Sequence, residues 1–479
     1  MKDALAGEVQ SSFIDGVRVA PGAARMPWRQ AGSGGMLAIA EADESVVAQA
    51  VASARRAFQA QRPSPLTVRL RHLQCLRDAL SREAAALARL ISEDVGKPIR
   101  VARGEVARGL QFVEACMSEL SHLGGEVLPL DAVSAGVARI CYTRRFPYGV
   151  VGAITPFNAP VNLLVQKLAP ALAAGNACVA KPAPASLRTA LHLAAAVVEA
   201  GLPPGMMNVL AGDRVAALAL AGHPDVGVVS FTGGVQAGEA LARATGVRRF
   251  VSELGSSAAN VVLADADLEA AAAKIAAAAF EASGQQCISA QRVIVEAGVY
   301  DAFAARFAAA AERMRVGPAD DEHTDIGPLV SQASADRIMD LCEDAIAHGA
   351  RYRLAPRREG LILSPAIIEG LTPAARLWYE EVFGPVAVLI RADDADHALA
   401  LANDSPFGLQ GAVFTRSLGQ AFRFAESFDV GALWVNEASR FRLDMYPFGG
   451  MKLSGTGREG VRYAIEELSQ LKFTGIAWQ

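Results

Sequence analysis

The spacing of apolar residues predicts a helical first part of the chain. Apolar side chains recur every three or four positions over 45–61, 66–93 and 101–123, which predicts three amphipathic helices. We expect the second of them to stop at Gly96-Lys97-Pro98, because glycine and proline end helices. Before these helices, the apolar pair within 12–16 and its Asp-Gly turn predict a β-hairpin.

From Gly149 onward, short β-rich runs alternate with alanine-rich helical stretches. Strands separated by helices of this length form βαβ units around a parallel sheet, so an α/β architecture is expected. A second α/β region follows Gly255, and residues 468–477 form a last strand that can add to a sheet edge, including that of another subunit. The predicted elements are strands 149–154, 176–180, 207–210, 226–231, 260–263, 386–390 and 432–436 and helices 161–174, 186–200 and 268–282.

Length and composition describe a globular protein of two or three domains. The 479 residues are 52% hydrophobic and 20% charged, which is enough apolar material for more than one core. A formal net charge of −4 gives no general attraction to nucleic acids or anionic membranes. The longest apolar region, 161–180, is interrupted by Lys167, Pro170 and Gly175, so we expect no membrane span.

The cysteines favour a reducing compartment. All six are scattered without a CxxC pair, so we expect neither a disulfide framework nor a metal site. The first residues contain no apolar stretch typical of a secretory signal. A cytoplasmic protein that retains a reactive thiol is therefore predicted.

One thiol, Cys287, lies in an unusual Gly-Gln-Gln-Cys setting, with Glu253 in a Ser-Glu-Leu-Gly setting upstream. Neither lies on the face of a periodic helix. A thiolate attacks carbonyl carbon, and a nearby carboxylate can take the thiol proton or activate a water for the next step.

Further segments carry weaker signals. Asn158 lies between two prolines after a strand, where its amide can stabilise an oxyanion or simply cap the next helix. Lys181 ends the next strand, at the edge where parallel sheets bind nucleotides. The glycines of 231–238 lie between a strand and the start of a helix. They can let backbone N–H groups approach a phosphate, or they can simply allow a tight turn. The segments 378–386 and 447–455 are rich in glycine, acids and aromatics and can be purely structural.

Together these segments resemble the aldehyde dehydrogenase superfamily over essentially the whole chain. The matching motifs are TPFN at 155–158, KP at 181–182, FTGG at 231–234, ELG at 253–255, GQQC at 284–287, EEVFGP at 380–385 and PFGGMKLSG at 447–455. The resemblance implies a Rossmann-like parallel-sheet domain for the dinucleotide (1–122 and 147–254), an α/β catalytic domain (255–462) and a small β extension for oligomerisation (123–146 and 463–479). It also implies a homodimer or homotetramer.

In that family a cysteine thiolate attacks the aldehyde, a hydride passes to the nicotinamide, and water hydrolyses the resulting thioester. The resemblance therefore makes Cys287 the nucleophile and Glu253 the base for the hydrolytic water. Asn158 and the backbone N–H of Cys287 stabilise the oxyanion. The positions implied for binding NAD or NADP are Ile154, Thr155, Pro156, Phe157, Lys181, Gly233, Gly234, Gly238, Leu254, Glu381 and Phe383.

Departures from the family pattern leave the cofactor preference open. Pro184 stands where the family often has an acidic residue, and losing that carboxylate removes repulsion against a 2′-phosphate. Arg214 can pair with such a phosphate. Gly234 replaces the common serine of the turn, and Ser256-Ser257 replaces Gly-Lys.

The substrate is predicted to be a small polar aldehyde, either anionic or hydroxylated. The Arg-x-Asp pattern before the Pro-Phe-Gly-Gly loop resembles the lactaldehyde and the phosphonate- or sulfo-aldehyde branches. A guanidinium binds an anion with paired hydrogen bonds, so arginines at this place suit an anionic aldehyde. A structural Arg442–Asp444 or Arg108–Glu105 pair is the alternative. The candidate substrate residues are Arg108, Arg292, Arg440, Arg442 and Phe448.

Other functions remain open at this point. A cysteine hydrolase would use Cys287 without a nucleotide, but it leaves Lys181 and the glycine turn unexplained. A CoA-acylating relative would release the thioester with CoA, and such enzymes generally lack the glutamate base. A catalytically silent binding protein is the fourth alternative.

Overall fold

A computed structural model describes residues 9–20, 22 and 24–478. Its helices are Glu44–Ala60, Leu66–Arg82, Ala84–Val95, Ile99–Glu119, Pro160–Ala174, Leu187–Glu199, Arg214–Gly222, Val235–Thr245, Leu268–Phe280, Tyr300–Glu312, Gln332–Ala347, Ala395–Asn403, Leu418–Ser427 and Val461–Glu467. The predicted α/β fold class is confirmed, with helices packed around sheets that are largely parallel. No helix within the described part of the chain is long and apolar enough to cross a membrane.

The predicted hairpin at 12–16 forms, and it joins the larger sheet. Asp15 and Gly16 adopt φ of 56° and 83°, so both turn residues are left-handed, as a tight two-residue hairpin requires. Within the described residues this sheet has eight strands, of which the central five run parallel. In spatial order they are Val17–Arg18, Phe13–Ile14, Met207–Val209, Ala177–Pro182, Val150–Thr155, Val228–Thr232, Arg249–Glu253 and Gly455–Thr456.

The second sheet, as far as it is described, has seven strands, and all but one edge strand run parallel. Its central strands are buried on both faces, which explains their continuous apolar runs. In spatial order they are Arg351–Leu354, Ala366–Glu369, Val386–Ala392, Arg292–Glu296, Ala259–Val262, Gln410–Phe414 and Ala432–Val435.

The tail strand Ser469–Ala477 pairs antiparallel with Arg139–Pro147 of the same chain, over nine residues. We call these two strands the terminal ribbon. Leu471, Phe473 and Ile476 on it are at least half exposed, so the ribbon presents apolar surface. The other two-stranded pairings are Arg25–Arg29 with Met36–Ala40, Arg358–Glu359 with Ile362–Leu363, and Phe407–Gly408 with Met451–Lys452.

The single helix predicted over 66–93 is wrong. Two helices occupy this stretch, and they meet at Glu83, whose φ of −95° and ψ of 8° interrupt the helix. The apolar spacing continues across the break because both helices bury residues against the same core, so the sequence pattern did not reveal it. The predicted stop is correct: Gly96 ends the second helix in the left-handed conformation, with φ of 74°.

Candidate active site

One cleft of about 830 Å³ collects most of the predicted site residues. Its walls come from loops that follow strands of the eight-stranded sheet and from the loop that precedes the strand Arg292–Glu296 of the seven-stranded sheet. Parallel α/β sheets bind ligands at this kind of edge, where loops diverge. The predicted residues that line the cleft are Arg108, Pro156, Phe157, Asn158, Gly233, Gly234, Glu253, Leu254, Cys287, Glu381, Phe383, Arg440, Arg442 and Phe448.

A strained loop presents Cys287 to the cleft. After the helix Leu268–Phe280, Ala282, Ser283 and Gly284 adopt φ of 54°, 60° and 63°. Left-handed backbone at two residues other than glycine costs free energy, and such strain is typical of functional sites. Cys287 itself is half-buried and packs against a small apolar cluster that contains Phe448.

The surroundings of Cys287 favour its neutral thiol while no ligand is bound. Burial raises the pKa of Cys287 to about 12, and the negative charges of Glu381, Glu253 and Glu459 act in the same direction. The positive charge of Arg442 opposes them. Formation of the thiolate therefore depends on the balance between these carboxyls and this one guanidinium.

Glu253 ends its strand with a buried and unpaired side chain. It is 2% exposed, and neither carboxyl oxygen has a hydrogen-bond partner within the described residues. Burial and the nearby charge of Glu459 raise the pKa of Glu253 well above its ordinary value. An unpaired buried carboxyl is costly, and a raised pKa suits a group that takes up protons during a reaction.

Beside Glu253 lies a buried ion-pair network. Glu459 accepts hydrogen bonds from Lys167 Nζ (2.9 Å) and Arg442 Nη2 (3.1 Å). Burial pushes the pKa of Glu459 up, but the two cations together lower it. Because Glu459 is paired with two cations, it stays charged. Its negative charge favours the protonated form of the neighbouring Glu253.

Asn158 lines the cleft together with Cys287. Its side chain lines the cleft and has no hydrogen bond to any described residue. The alternative that it caps the next helix is wrong, because Ala159 occupies the cap position of Pro160–Ala174 and no side chain caps it. The amide is therefore free to donate to a ligand.

Glu381 and Phe383 both line the cleft. The Glu381 carboxylate accepts the backbone N–H of Ser256 at 3.0 Å, yet burial raises the pKa of this group to about 7. Gly255 makes room for it, since a Cβ there would lie 2.9 Å from Glu381 Oε2. Phe383 packs edge-on against Phe157, with ring centroids 5.9 Å apart.

The glycine turn fits a phosphate at one position only. A Cβ on Gly234 would meet nothing within 4 Å, so this residue faces open cleft at the start of the helix Val235–Thr245. The N–H of Gly233 already donates to the Glu253 carbonyl, and that of Gly238 to the Gly234 carbonyl. Gly238 instead provides close packing, because a Cβ there would lie 2.7 Å from Leu254. The N–H groups of Gly233 and Gly238 are thus already engaged within the protein.

Four of the remaining cofactor candidates lie outside the cleft lining: Ile154, Thr155, Lys181 and Arg214. Lys181 is 5% exposed and its Nζ is 3.9 Å from Asp213 Oδ1, a carboxylate that the sequence analysis missed. Asp213 thus supplies an acidic group near Lys181 despite Pro184. Arg214 is the next residue and is exposed at the start of a helix.

Three of the candidate arginines line the cleft, each beside a carboxylate. Arg108 makes a two-pronged pair with Asp444, at 2.7 and 2.9 Å, so the predicted Arg108–Glu105 alternative is wrong. Arg440 pairs with Glu281 and also donates to Gln286 at 3.0 Å. Arg442 is stacked on Phe448, its Cζ lying 3.5 Å from the ring centroid.

Arg442 alone among these arginines keeps a buried donor without a partner. Its Nη2 donates to Gln166 (3.2 Å) and Glu459, and its Nε lies 3.7 Å from Asp444, too far for a hydrogen bond. Within the described residues that Nε has no acceptor. A buried N–H without an acceptor is costly and is an available donor for a ligand in the cleft.

Arg292 does not belong to the site. It is 1% exposed on the strand Arg292–Glu296, donates to the Leu401 and Ala402 carbonyls, and lies 5.8 Å from the Trp378 ring. Arg292, five positions after Cys287, is already the first residue of a buried strand, so its side chain is buried in the core. Its role as a substrate residue is therefore corrected to a structural one.

Sequence reasoning missed Lys167 and Glu459. Lys167 interrupts a helix that is buried along its whole length and is itself 1% exposed, and a lysine within such an apolar stretch was the available signal. Glu459 follows the Pro-Phe-Gly-Gly loop by a few residues and carried no comparable signal. The cleft residues nevertheless fit a dinucleotide: the open Gly234 turn and the buried, partnerless Thr232 hydroxyl lie on one side, and Glu381 lies on the other.

Comparisons with known proteins agree with this geometry. A model of the aldehyde dehydrogenase family matches residues 30–474. The chain is 39% identical over 433 residues to 3-sulfolactaldehyde dehydrogenase of Priestia aryabhattai, covering 90% of each protein. It is 34% identical over 429 residues to lactaldehyde dehydrogenase of Methanocaldococcus jannaschii, covering 88% of this chain and 91% of the relative.

A solved structure shows the same fold. The NADP-dependent glyceraldehyde-3-phosphate dehydrogenase of Bacillus halodurans, complexed with NADP, superposes with a TM-score of 0.95 at 33% identity, covering 98% of this chain and 99% of the other. The resemblance drawn from the motifs, including the lactaldehyde and sulfo-aldehyde branch, is confirmed. The protein is an oxidoreductase that oxidises aldehydes with NAD or NADP, which excludes a cysteine hydrolase and a silent binding protein. The chain belongs to the aldehyde dehydrogenase family.

Proposed function

We propose that this enzyme oxidises a short polar aldehyde, bearing an anionic or hydroxyl group, to its carboxylic acid through a covalent intermediate on Cys287. The observation that carries the proposal is one cleft that contains Cys287, Glu253 and Asn158 together with three guanidinium groups. In the net reaction the aldehyde and one water give the acid, while NAD(P)⁺ becomes NAD(P)H and one proton is released.

The first step forms a bond between Cys287 Sγ and the aldehyde carbon. The thiolate is the attacking species, and the Arg442 charge favours it. The carbonyl oxygen becomes an oxyanion in the thiohemiacetal. Asn158, whose amide is free, donates a hydrogen bond to that oxygen together with the backbone N–H of Cys287.

The second step releases the acid. A bound dinucleotide would take up the hydride that leaves the thiohemiacetal carbon, and the oxyanion then re-forms a carbonyl, which leaves a thioester on Cys287. Glu253 in its carboxylate form takes a proton from water, which then attacks the thioester carbon and breaks the bond to Cys287 Sγ. The raised pKa of Glu253 makes it a stronger base than an exposed glutamate.

Most residues that would hold the dinucleotide line the same cleft. Gly234 would face the pyrophosphate and Glu381 the nicotinamide ribose, while Lys181, outside the cleft lining, would contact the adenine ribose. Phe383, Phe157, Leu254 and Pro156 would pack against the cofactor, and the buried Thr155 and Ile154 would support the strand end that carries Pro156. Arg214, exposed beside Asp213, would contact a 2′-phosphate and so favour NADP.

Arg442 would recognise the far end of the substrate. Its partnerless Nε is the buried donor that remains available in the cleft, and Arg108, Arg440 and Phe448 line the same wall. A sulfonate, carboxylate or hydroxyl oxygen would accept that hydrogen bond. Relatives named for sulfolactaldehyde and lactaldehyde support both kinds of group.

The test is a steady-state comparison of short aldehydes with NAD and with NADP. Sulfo-, phospho- and carboxy-aldehydes would be measured beside lactaldehyde and glycolaldehyde in wild type and Arg442→Gln. We expect KM for the preferred polar aldehyde to rise about tenfold or more in the variant, since one charge-assisted bond is lost, while a neutral apolar aldehyde of similar size changes little. Equal losses for all aldehydes would contradict a recognition role.

The acyl acceptor is tested separately. Release by water predicts free acid as the product without CoA. A requirement for CoA, or formation of an acyl-CoA, would replace the hydrolytic step and remove the role given to Glu253.

We also propose that the protein is a cytoplasmic homodimer or homotetramer that assembles through the terminal ribbon. Exposed Leu471, Phe473 and Ile476 support this, because apolar patches on strands favour pairing between copies. Light scattering of wild type and Phe473→Lys tests it. A monomeric wild-type protein would contradict it.

A further inference from the structure

A second cleft, of about 340 Å³, shares no lining residue with the catalytic cleft. It lies where the start of the helix Leu66–Arg82 meets the segment 123–127 and the strand Arg139–Pro147. Arg69, Arg144 and Arg145 line it, and Glu126 is the acidic residue in the lining. The lining therefore carries a formal charge of +2.

Arg69 is held in place by the backbone around it. Its Nε donates to the Ser64 carbonyl at 2.9 Å and its Nη1 to the Ala173 carbonyl at 3.3 Å. Gly175, with φ of 91°, leaves the space for this guanidinium, because a Cβ there would lie 3.0 Å from Arg69 Nε. The other nitrogen, Nη2, has no acceptor in the described part of the chain. The group is thus fixed in position, with one donor left over.

Two of the three arginines of this cleft have no ion-pair partner among the described residues. Neither Arg69 nor Arg144 forms an ion pair with a described residue, and Arg145 reaches Glu466 only at 3.7 Å while donating to Ser469 Oγ. Burial lowers the pKa of Arg69, and the charge of Arg144 lowers it further. Arg69 and Arg144 repel each other, and neither forms an ion pair with a described carboxylate, so an anion that contacts both would be favourable.

We propose that this cleft binds a phosphate dianion, either inorganic phosphate or the phosphate group of a small metabolite. Arg69 comes from a helix and Arg144 from a strand, and both line the cleft. A tetrahedral dianion offers several acceptor oxygens and matches such a set of forks. A single carboxylate would satisfy one fork and leave the other uncompensated.

The experiment is titration of full-length enzyme with inorganic phosphate by calorimetry, with NADP at saturation so that phosphate does not enter the catalytic cleft. Arg144 is exposed, so Arg144→Ala and Arg144→Glu should fold. Arg139→Ala is the matched control, because Arg139 is exposed on the same strand and does not line the cleft. Glycerol phosphate distinguishes a metabolite's phosphate from the free ion, and acetate is the monoanionic control.

We expect binding to wild type and Arg139→Ala, about tenfold weaker binding to Arg144→Ala, and none to Arg144→Glu, since each charge-assisted bond is worth about a factor of ten. Acetate should bind no variant detectably. Unchanged affinity in Arg144→Ala, absence of phosphate binding by wild type, or competition between phosphate and NADP would each overturn the proposal. Loss of the oligomer in Arg144→Glu without phosphate binding by wild type would assign the cleft to an acidic side chain of a second copy instead.

Discussion

The guanidinium of Arg442 and the carboxylate of Glu459 form a buried ion pair, 3.1 Å between Nη2 and Oε2, next to the partnerless carboxyl of Glu253. Lys167 holds the other oxygen of Glu459 at 2.9 Å. Glu459 thereby forms ion pairs with both Lys167 and Arg442, and its negative charge raises the pKa of Glu253. The same Arg442 lowers the pKa of Cys287, so one arginine is coupled to both reactive groups.

Glu253→Gln should separate the two chemical steps. The amide does not accept a proton from water, so thioester hydrolysis should slow by about a hundredfold or more, the range for loss of a general base. Hydride transfer should be less affected. Rapid mixing should therefore show a burst of reduced cofactor followed by slow turnover. Glu380→Gln, at a partly exposed acid outside the cleft lining, should behave as wild type; a full steady-state rate in Glu253→Gln would remove the base assignment.

Arg442→Gln should make Cys287 less reactive even without substrate. Removing the one positive charge that lowers the pKa of this thiol leaves three carboxyls that raise it, so less thiolate forms at a given pH. The measurement is the rate of alkylation by neutral iodoacetamide against pH, followed by mass spectrometry, with Cys287→Ser as background. Arg442→Lys should keep most of the wild-type rate. An unchanged rate in Arg442→Gln would show that this charge does not act on the thiol.

Cofactor affinity should depend on the ionisation of Glu381. Burial raises the pKa of this carboxyl to about 7, so the carboxylate that accepts hydrogen bonds from ribose hydroxyls forms as the pH rises through that value. Binding of NAD or NADP should therefore tighten from pH 6 to pH 8 with a midpoint at about 7. Fluorescence titration of wild type and Glu381→Gln measures it, and the variant should lose this pH dependence.

The same group gives a stability prediction of defined sign. The folded protein binds the Glu381 proton more tightly than the unfolded chain, whose pKa is near 4.5. The contribution of this group to the free energy of unfolding is therefore greatest below pH 4.5 and falls as the pH rises towards 7. The melting temperature of Glu381→Gln relative to that of wild type should thus rise between pH 5 and pH 8. A constant difference would contradict the raised pKa.

Arg292→Met should affect folding and leave substrate recognition intact. The substitution removes the donors to the Leu401 and Ala402 carbonyls in the core, and an unsatisfied buried acceptor costs about 2 kcal/mol. Chemical denaturation should show this loss, while KM for anionic and neutral aldehydes stays the same. Arg313→Met, at an exposed helix end, should change neither the free energy of unfolding nor KM. A selective rise of KM for anions would restore Arg292 to the site.

The sequence predicted the elements that position the site because their signals are local. Glycine and proline at the ends of β-rich runs placed Asn158, Lys181 and the glycine turn at one edge of a parallel sheet, and the strands are present there. Where local signals were ambiguous, the predictions failed. The apolar periodicity of 66–93 continued across the break at Glu83.

Pairing between charged residues was beyond the sequence. Arg108 pairs with Asp444, 336 positions away, because the nearer Glu105 is buried with Lys97 and accepts the N–H of Val161. Arg292 entered the core because the strand that carries it begins at that residue. Such outcomes depend on which long-range neighbours become buried together.

By itself, the sequence determined the α/β fold class and the family, since short motifs and local periodicity encode them, and it predicted Cys287 as the nucleophile and Glu253 as the base. Only the tertiary structure decided which charges meet: Glu459 and Lys167 beside Glu253, Arg442 between both reactive groups, and the uncompensated arginines of the second cleft. The reason is physical. Burial and charge pairing act over a few ångströms in space, and the chain brings those residues together from hundreds of positions apart.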